Sequence, residues 1–163
     1  MSKVVILMGS SSDRDHCKKI ALKLEDFGIA VTMRVASAHK VPLRALDVLR
    51  EHEGPETVFI TVAGRSNALS GFTDANTFCP VIACPPYSDK FSGADLFSSI
   101  RMPSGVAPML VLEPGEAALA AAKILAASDE TLREKVRLFQ EKKRSELEEA
   151  DAAVSQGSLM RPE

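Results

Sequence analysis

The chain contains no tryptophan and a single tyrosine among its 163 residues, so it offers little aromatic surface on which a flavin could stack. Its three cysteines, Cys17, Cys79 and Cys84, are odd in number and show no CxxC spacing, which argues against a disulfide framework and a zinc knuckle and leaves buried thiols as the expectation. Neither sign of charge dominates: the formal net charge is −2, without the basic excess that binding to nucleic acid would require. No apolar run approaches the ~20 residues needed to cross a bilayer. The first residues, MSKVVILMG, lack the cleavage pattern of a secretory signal, and a cytoplasmic location is expected. There is no HExxH, paired histidine or carboxylate cluster, so a site with no metal and no cofactor is the expectation.

What is present is the composition of an ordinary globular domain, 45% hydrophobic and 26% charged, with enough length for one core. Short runs rich in Val and Ile recur at Val4–Met8, Ala30–Val35, Val58–Val62, Val81–Cys84 and Met109–Leu112. They lack polar alternation and read as strands buried on both faces. Between them lie segments of helical spacing. Asp13–Phe27 aligns Cys17, Ile20, Leu24 and Phe27, with Gly28 as its stop. Val41–His52 aligns Leu43, Leu46, Val48 and Leu49, with Pro42 in the first turn, where a missing N–H costs nothing.

Strands alternating with helices predict an α/β fold, a three-layer αβα arrangement around a flavodoxin-like, doubly wound parallel sheet of five strands in the order 2-1-3-4-5. Two further helices are expected at the C-terminal end, Pro114–Ala127 and Asp129–Val154. The second carries an apolar stripe through Leu132, Val136, Phe139, Leu147, Ala150 and Val154, interrupted by Lys143. The chain divides accordingly into a catalytic domain over residues 1–128, a C-terminal helix over 129–154 that packs on its own domain or on a neighbouring subunit, with subunit contact expected, and a polar tail over 155–163.

Ligands of such sheets bind beyond the carboxyl ends of the strands, where the strand order reverses. Three polar loops fall on successive strand ends. GSSSD (Gly9–Asp13) opens the first helix, so its N–H groups and hydroxyls suit a phosphate or carboxylate, although a simple helix cap explains the same residues. SAHK (Ser37–Lys40) supplies a hydroxyl, an imidazole able to take and give a proton near neutral pH, and a cation. AGRSNALSG (Ala63–Gly71) offers glycines for close approach, with Ser66, Asn67 and Ser70 as neutral hydrogen-bonding groups. CPVIACPP (Cys79–Pro86) and SSIRMPSG (Ser98–Gly105) follow, and Arg101 reads as an anion ligand or as an exposed charge at a helix end.

In that order, over Val4–Leu112, these motifs resemble the PurE family of purine biosynthesis, which carboxylates the imidazole of aminoimidazole ribonucleotide (AIR). The family has two classes on one fold. Class I rearranges N5-carboxyaminoimidazole ribonucleotide (N5-CAIR) to the 4-carboxy isomer (CAIR) and carries SAHR with an AGGAAHLPG loop. Class II carboxylates AIR directly with CO2 and carries SAHK with GRSN. Lys40 and GRSNALSG resemble class II, although Ala68 stands where the animal-type loop has glycine.

The resemblance implies that Ser10 and Asp13 contact the ribose phosphate, that Ser37 and Lys40 complete the anion site, and that Ser66, Asn67 and Ala68 line the CO2 pocket. It makes His39 the proton carrier. It also implies a homo-oligomer, an octamer or a tetramer, with active sites near subunit contacts. The alternatives are an N5-CAIR mutase on the same site and, from another class, a flavodoxin-like module that binds a phosphorylated ligand without turnover.

Overall fold

The computed structural model describes residues 2–157. Five strands, β1 (Lys3–Met8), β2 (Ala30–Val35), β3 (Thr57–Val62), β4 (Val81–Ala83) and β5 (Met109–Leu110), form one parallel sheet in the order β2-β1-β3-β4-β5. Lys3 pairs with Ala30 on one side and Thr57 on the other, and Met8 with Val35 and Val62. The carboxyl ends of β2, β1 and β3 therefore lie level, and the order reverses between β1 and β3.

Alternation along β1 feeds two cores. Val4, Ile6 and Met8 point into one with α1 (Arg14–Asp26) and α5 (Pro114–Leu125), whereas Val5 and Leu7 point into the other with α2 (Pro42–His52). Both β1 and β3 are buried on both faces, as their largely apolar runs require, Thr57 and Thr61 of β3 included. The expectation of two-sided burial fails for the two edge strands: Met33 is 38% and Val35 53% exposed in β2, and β5 is shorter than the expected Met109–Leu112, with Met109 40% and Leu112 46% exposed. An apolar run reports β propensity, but whether a helix covers the second face depends on its place in the sheet.

Helix ends follow local chemistry. A 3-10 turn, Ser11–Asp13, precedes α1, so the regular helix starts one residue later than expected. At its other end Gly28, at φ 75°, turns the chain as only glycine does without strain. There the N–H of Gly28 donates to Glu25 O at 2.8 Å and that of Ile29 to Leu24 O at 3.1 Å. The buried stripe of α2 is Ala45, Val48 and Leu49, while Leu43, expected in it, is 74% exposed. Two short helices follow, α3 (Ala68–Asp74) and α4 (Phe97–Ile100).

The last helix, α6 (Glu130–Gly157), begins where Asp129 Oδ1 accepts the N–H of Leu132 at 2.9 Å. It runs through Ser155–Gly157, which were expected in the tail; the remainder of that tail, 158–163, lies outside the described residues. Only its first turns meet the core. Leu132 and Val136 are buried, and Phe139 stands edge-on to Phe27 with centroids 5.4 Å apart. Leu147 and Val154 are each 72% exposed, so the far half of the stripe has no cover among the described residues. Among the described residues, no helix is long and apolar enough to cross a membrane.

Candidate active site

The loops after β1, β2 and β3 meet in one cleft of about 380 Å³ at the reversal of strand order. Gly9 permits this meeting: a Cβ there would stand 3.2 Å from the Cβ of Ala63 at the end of β3. The cleft is lined by Ser10, Ser12 and Asp13 from the first loop, Ser37, His39 and Lys40 from the second, and Arg65 and Ser66 from the third.

In the first loop Ser10 Oγ accepts from Ser12 N at 3.2 Å and from Ser12 Oγ at 2.9 Å. The cap expected of Ser12 or Asp13 falls on Ser10 instead, while Asp13 stands at the N-cap of α1 without a side-chain cap hydrogen bond; the hydroxyl hydrogen of Ser10 remains available to an anion. Asp13 is half-buried at the entrance to α1. Burial pushes its carboxyl above the ordinary value, against the pull of the Ser10 backbone hydrogen bond and of nearby His16.

The second loop is a tight turn. Val41 N donates to Ser37 O at 2.9 Å and Lys40 N donates to Ser37 Oγ at 3.3 Å, so Ser37 fixes the turn that presents His39 and Lys40. Both of those side chains are exposed at the cleft. The placement of a histidine between a hydroxyl and an ammonium group thus has a geometric result: an imidazole on the rim, lining the same cleft as Lys40 and the residues that open α1.

The third loop departs from expectation. Ser66 lines the cleft, but Asn67 and Ala68 do not. Asn67 is 2% exposed and its polar groups are committed inside the protein: Nδ2 donates to Ser99 Oγ at 2.8 Å, Oδ1 accepts from Ser70 N at 3.3 Å, and its backbone N donates to Ser98 Oγ at 2.9 Å. It caps α3 and ties the loop to α4. Ala68 is the first residue of α3, behind the wall that Ser66 faces.

Two residues of this region were not singled out by motif reading. Arg65 lines the cleft with φ 58°, a left-handed conformation that costs a residue with a side chain roughly 1–2 kcal/mol; a cation between Gly64 and Ser66 at a strand end was the available signal. His16 lies behind Asp13, three residues along α1, with Nε2 3.4 Å from Cys84 Sγ. Burial holds its pKa below the ordinary imidazole value and pushes the thiols of Cys84 and Cys17 up to about 12, so these thiols stay protonated. Arg101, at the end of α4, is exposed and does not line the cleft.

A second cavity of about 290 Å³ shares Ala63, Gly64 and Arg65 with the cleft and is otherwise walled largely by Pro85, Pro86, Tyr87 and Leu112. Fold and cleft define a class: a flavodoxin-like α/β protein whose switch point gathers an exposed imidazole, two cations and a row of hydroxyls.

Comparison with known proteins narrows that class. Residues 3–146 match the family described as AIR carboxylase. The chain is 68% identical over 149 residues to phosphoribosylaminoimidazole carboxylase of Archaeoglobus fulgidus, covering 91% of this chain and 83% of that one. It is 48% identical to the enzyme of the same name from Treponema denticola, covering 93% and 96%. A bifunctional phosphoribosylaminoimidazole carboxylase/succinocarboxamide synthetase of Mus musculus is 41% identical, but the chain spans only 37% of its length. The crystal structure of Treponema denticola PurE superposes with a TM-score of 0.91 at 46% identity, covering 94% of this chain and 98% of that one. The chain belongs to the AIR carboxylase, or PurE, family.

Proposed function

We propose that the chain carboxylates AIR at C4 with CO2 to give CAIR, the direct class II reaction of purine biosynthesis, in the cytoplasm. The observation that carries the reading is the convergence of His39, Lys40 and the hydroxyl-rich entrance to α1 in one cleft. The carboxylase names of the Archaeoglobus and Treponema relatives support the chemistry, and Lys40 with the GRSN loop supports direct carboxylation over rearrangement of N5-CAIR.

The phosphate of AIR lies against Ser10, Ser37 and Lys40, where hydroxyl hydrogens, the N-terminal end of α1 and an ammonium group all favour negative charge. Asp13 accepts hydrogen bonds from the ribose. Ser66 faces CO2, with Asn67 and Ala68 backing that wall.

The imidazole ring of AIR is an electron-rich enamine. Its C4 attacks CO2 without further activation once the two are held at contact distance, because positioning replaces a bimolecular encounter. An electron pair of the ring forms the new C–C bond, and one C=O pair of CO2 moves onto oxygen as the carboxylate. The adduct still carries hydrogen on C4. His39 removes that proton and aromaticity returns; in the reverse direction it delivers the proton and CO2 departs.

The exposed apolar positions of α6, Leu147 and Val154, support assembly into a homo-oligomer, an octamer or a tetramer.

The test is formation of CAIR from AIR by the purified protein, without ATP, as dissolved CO2 is varied. A rate that rises with CO2 supports the reading; conversion of supplied N5-CAIR with none of AIR would replace it by the mutase. His39→Asn should abolish turnover with AIR binding nearly intact, and comparable activity in that variant would remove His39 from the role.

A further inference from the structure

Arg65 combines three features. Its backbone is left-handed, at φ 58°, so the chain keeps a guanidinium where glycine would sit without strain. Its carbonyl lies 3.0 Å from Ser98 Oγ, whose single hydroxyl hydrogen is shared with Asp95 O at 2.7 Å, and the same Ser98 Oγ accepts from the N–H of Asn67 at 2.9 Å. It also lines both the cleft and the second cavity, on the wall between them.

The charges around it are few. Lys40 and Arg65 are the two cationic side chains lining the cleft, opposite a single acid, Asp13, and the acids of the second cavity are Asp95 and Glu113. Among the described residues the Arg65 guanidinium makes no ion pair and no hydrogen bond. Lys40 belongs to the turn after β2 that Ser37 pins, together with the hydroxyl of Ser37 itself. Arg65 belongs to the loop after β3 and directly precedes Ser66.

The proposed reaction has matching demands. AIR brings one anionic group, its phosphate, whereas CAIR carries a second, the carboxylate on C4. We propose that Arg65 is the carboxylate-recognition residue of the site: it receives the negative charge that develops on the CO2 oxygens as the C–C bond forms, and it distinguishes CAIR from AIR. The inference rests on the functional reading above. A planar guanidinium matches a carboxylate in two parallel hydrogen bonds, and one with no other partner among the described residues is available to the charge that develops in the transition state. Neutral CO2 gains little from it, so the interaction strengthens as the reaction proceeds.

The experiment compares wild type, Arg65→Gly, Arg65→Gln and Arg65→Lys in the decarboxylation direction, reading KM for CAIR and, in the same assay, the inhibition constant of AIR. Arg65→Gly relieves the backbone strain, so its melting temperature should not fall by more than a few degrees; Arg65→Gln keeps the side-chain length should glycine loosen the loop. Both should raise KM for CAIR by about tenfold or more while shifting the AIR constant by less than about twofold, with Arg65→Lys in between. A parallel loss for AIR and CAIR would assign Arg65 to the shared phosphate or to loop structure and overturn the inference, as would unchanged constants. A wild-type protein that turns over neither AIR nor CAIR fails one step earlier and takes the carboxylase reading down with it.

Discussion

Asn67→Ala tests the assignment of this side chain to the loop's framework. The residue is 2% exposed and makes two side-chain hydrogen bonds, to Ser99 Oγ at 2.8 Å and from Ser70 N at 3.3 Å. Each bond is worth about 0.5–1.5 kcal/mol net, and a buried N–H left without an acceptor costs about 1–3 kcal/mol. Ser70 is itself fully buried, so water reaches its freed N–H only if α3 moves. The expected loss is therefore about 2–4 kcal/mol, and a domain of this size loses roughly 2–4 °C per kcal/mol, or about 5–15 °C in all. Urea unfolding of the full chain, followed by circular dichroism, measures it through the midpoint at constant slope. Activity should fall as well, because the lost side-chain bonds to Ser99 and Ser70 help to fix the loop that carries Arg65 and Ser66. A variant with the wild-type midpoint and a changed dependence on CO2 alone would refute the reasoning and return Asn67 to the pocket lining.

Lys40→Ala should raise KM for AIR by about tenfold at low ionic strength, with a ratio to wild type that shrinks towards one as salt screens the contact; a salt-independent ratio would exclude an electrostatic role. Asp13 has its folded pKa raised by burial. Its contribution to stability is thus present below the unfolded carboxylate range and is lost as pH rises through the folded value. Asp13→Asn is expected to be more stable than wild type at pH 7, with the advantage disappearing below about pH 4, and denaturation curves at the two pH values decide it. Cys17 and Cys84, both buried and pushed up to about 12, should resist alkylation at pH 8 in the native protein and react only on unfolding. Thiol titration with and without denaturant reads this, and rapid native labelling of either would contradict the burial.

The order of strands, the helices between them and the convergence of three loops at the switch point were legible in the sequence because each depends on local signals. Val4–Met8 is apolar throughout and Val58–Val62 is apolar but for Thr61, as befits central strands, Gly28 ends a helix by its own backbone freedom, and Ser37 forms a turn with residues three and four positions away. Once the strands pair in parallel with level ends, Ser10, Asp13, Ser37, His39, Lys40 and Ser66 share one rim. Other features were decided in three dimensions. β2 is half-exposed because it lies at the sheet edge, and α6 covers the core only as far as Phe139 because the core ends there. Asn67 turns inward because its partner Ser99 lies 32 residues along the chain, and Arg65 adopts its left-handed bend beside Ser98, 33 residues away. Residue types and their spacing determine which loops meet; the direction of a side chain within a loop depends on partners that only folding brings within hydrogen-bonding distance.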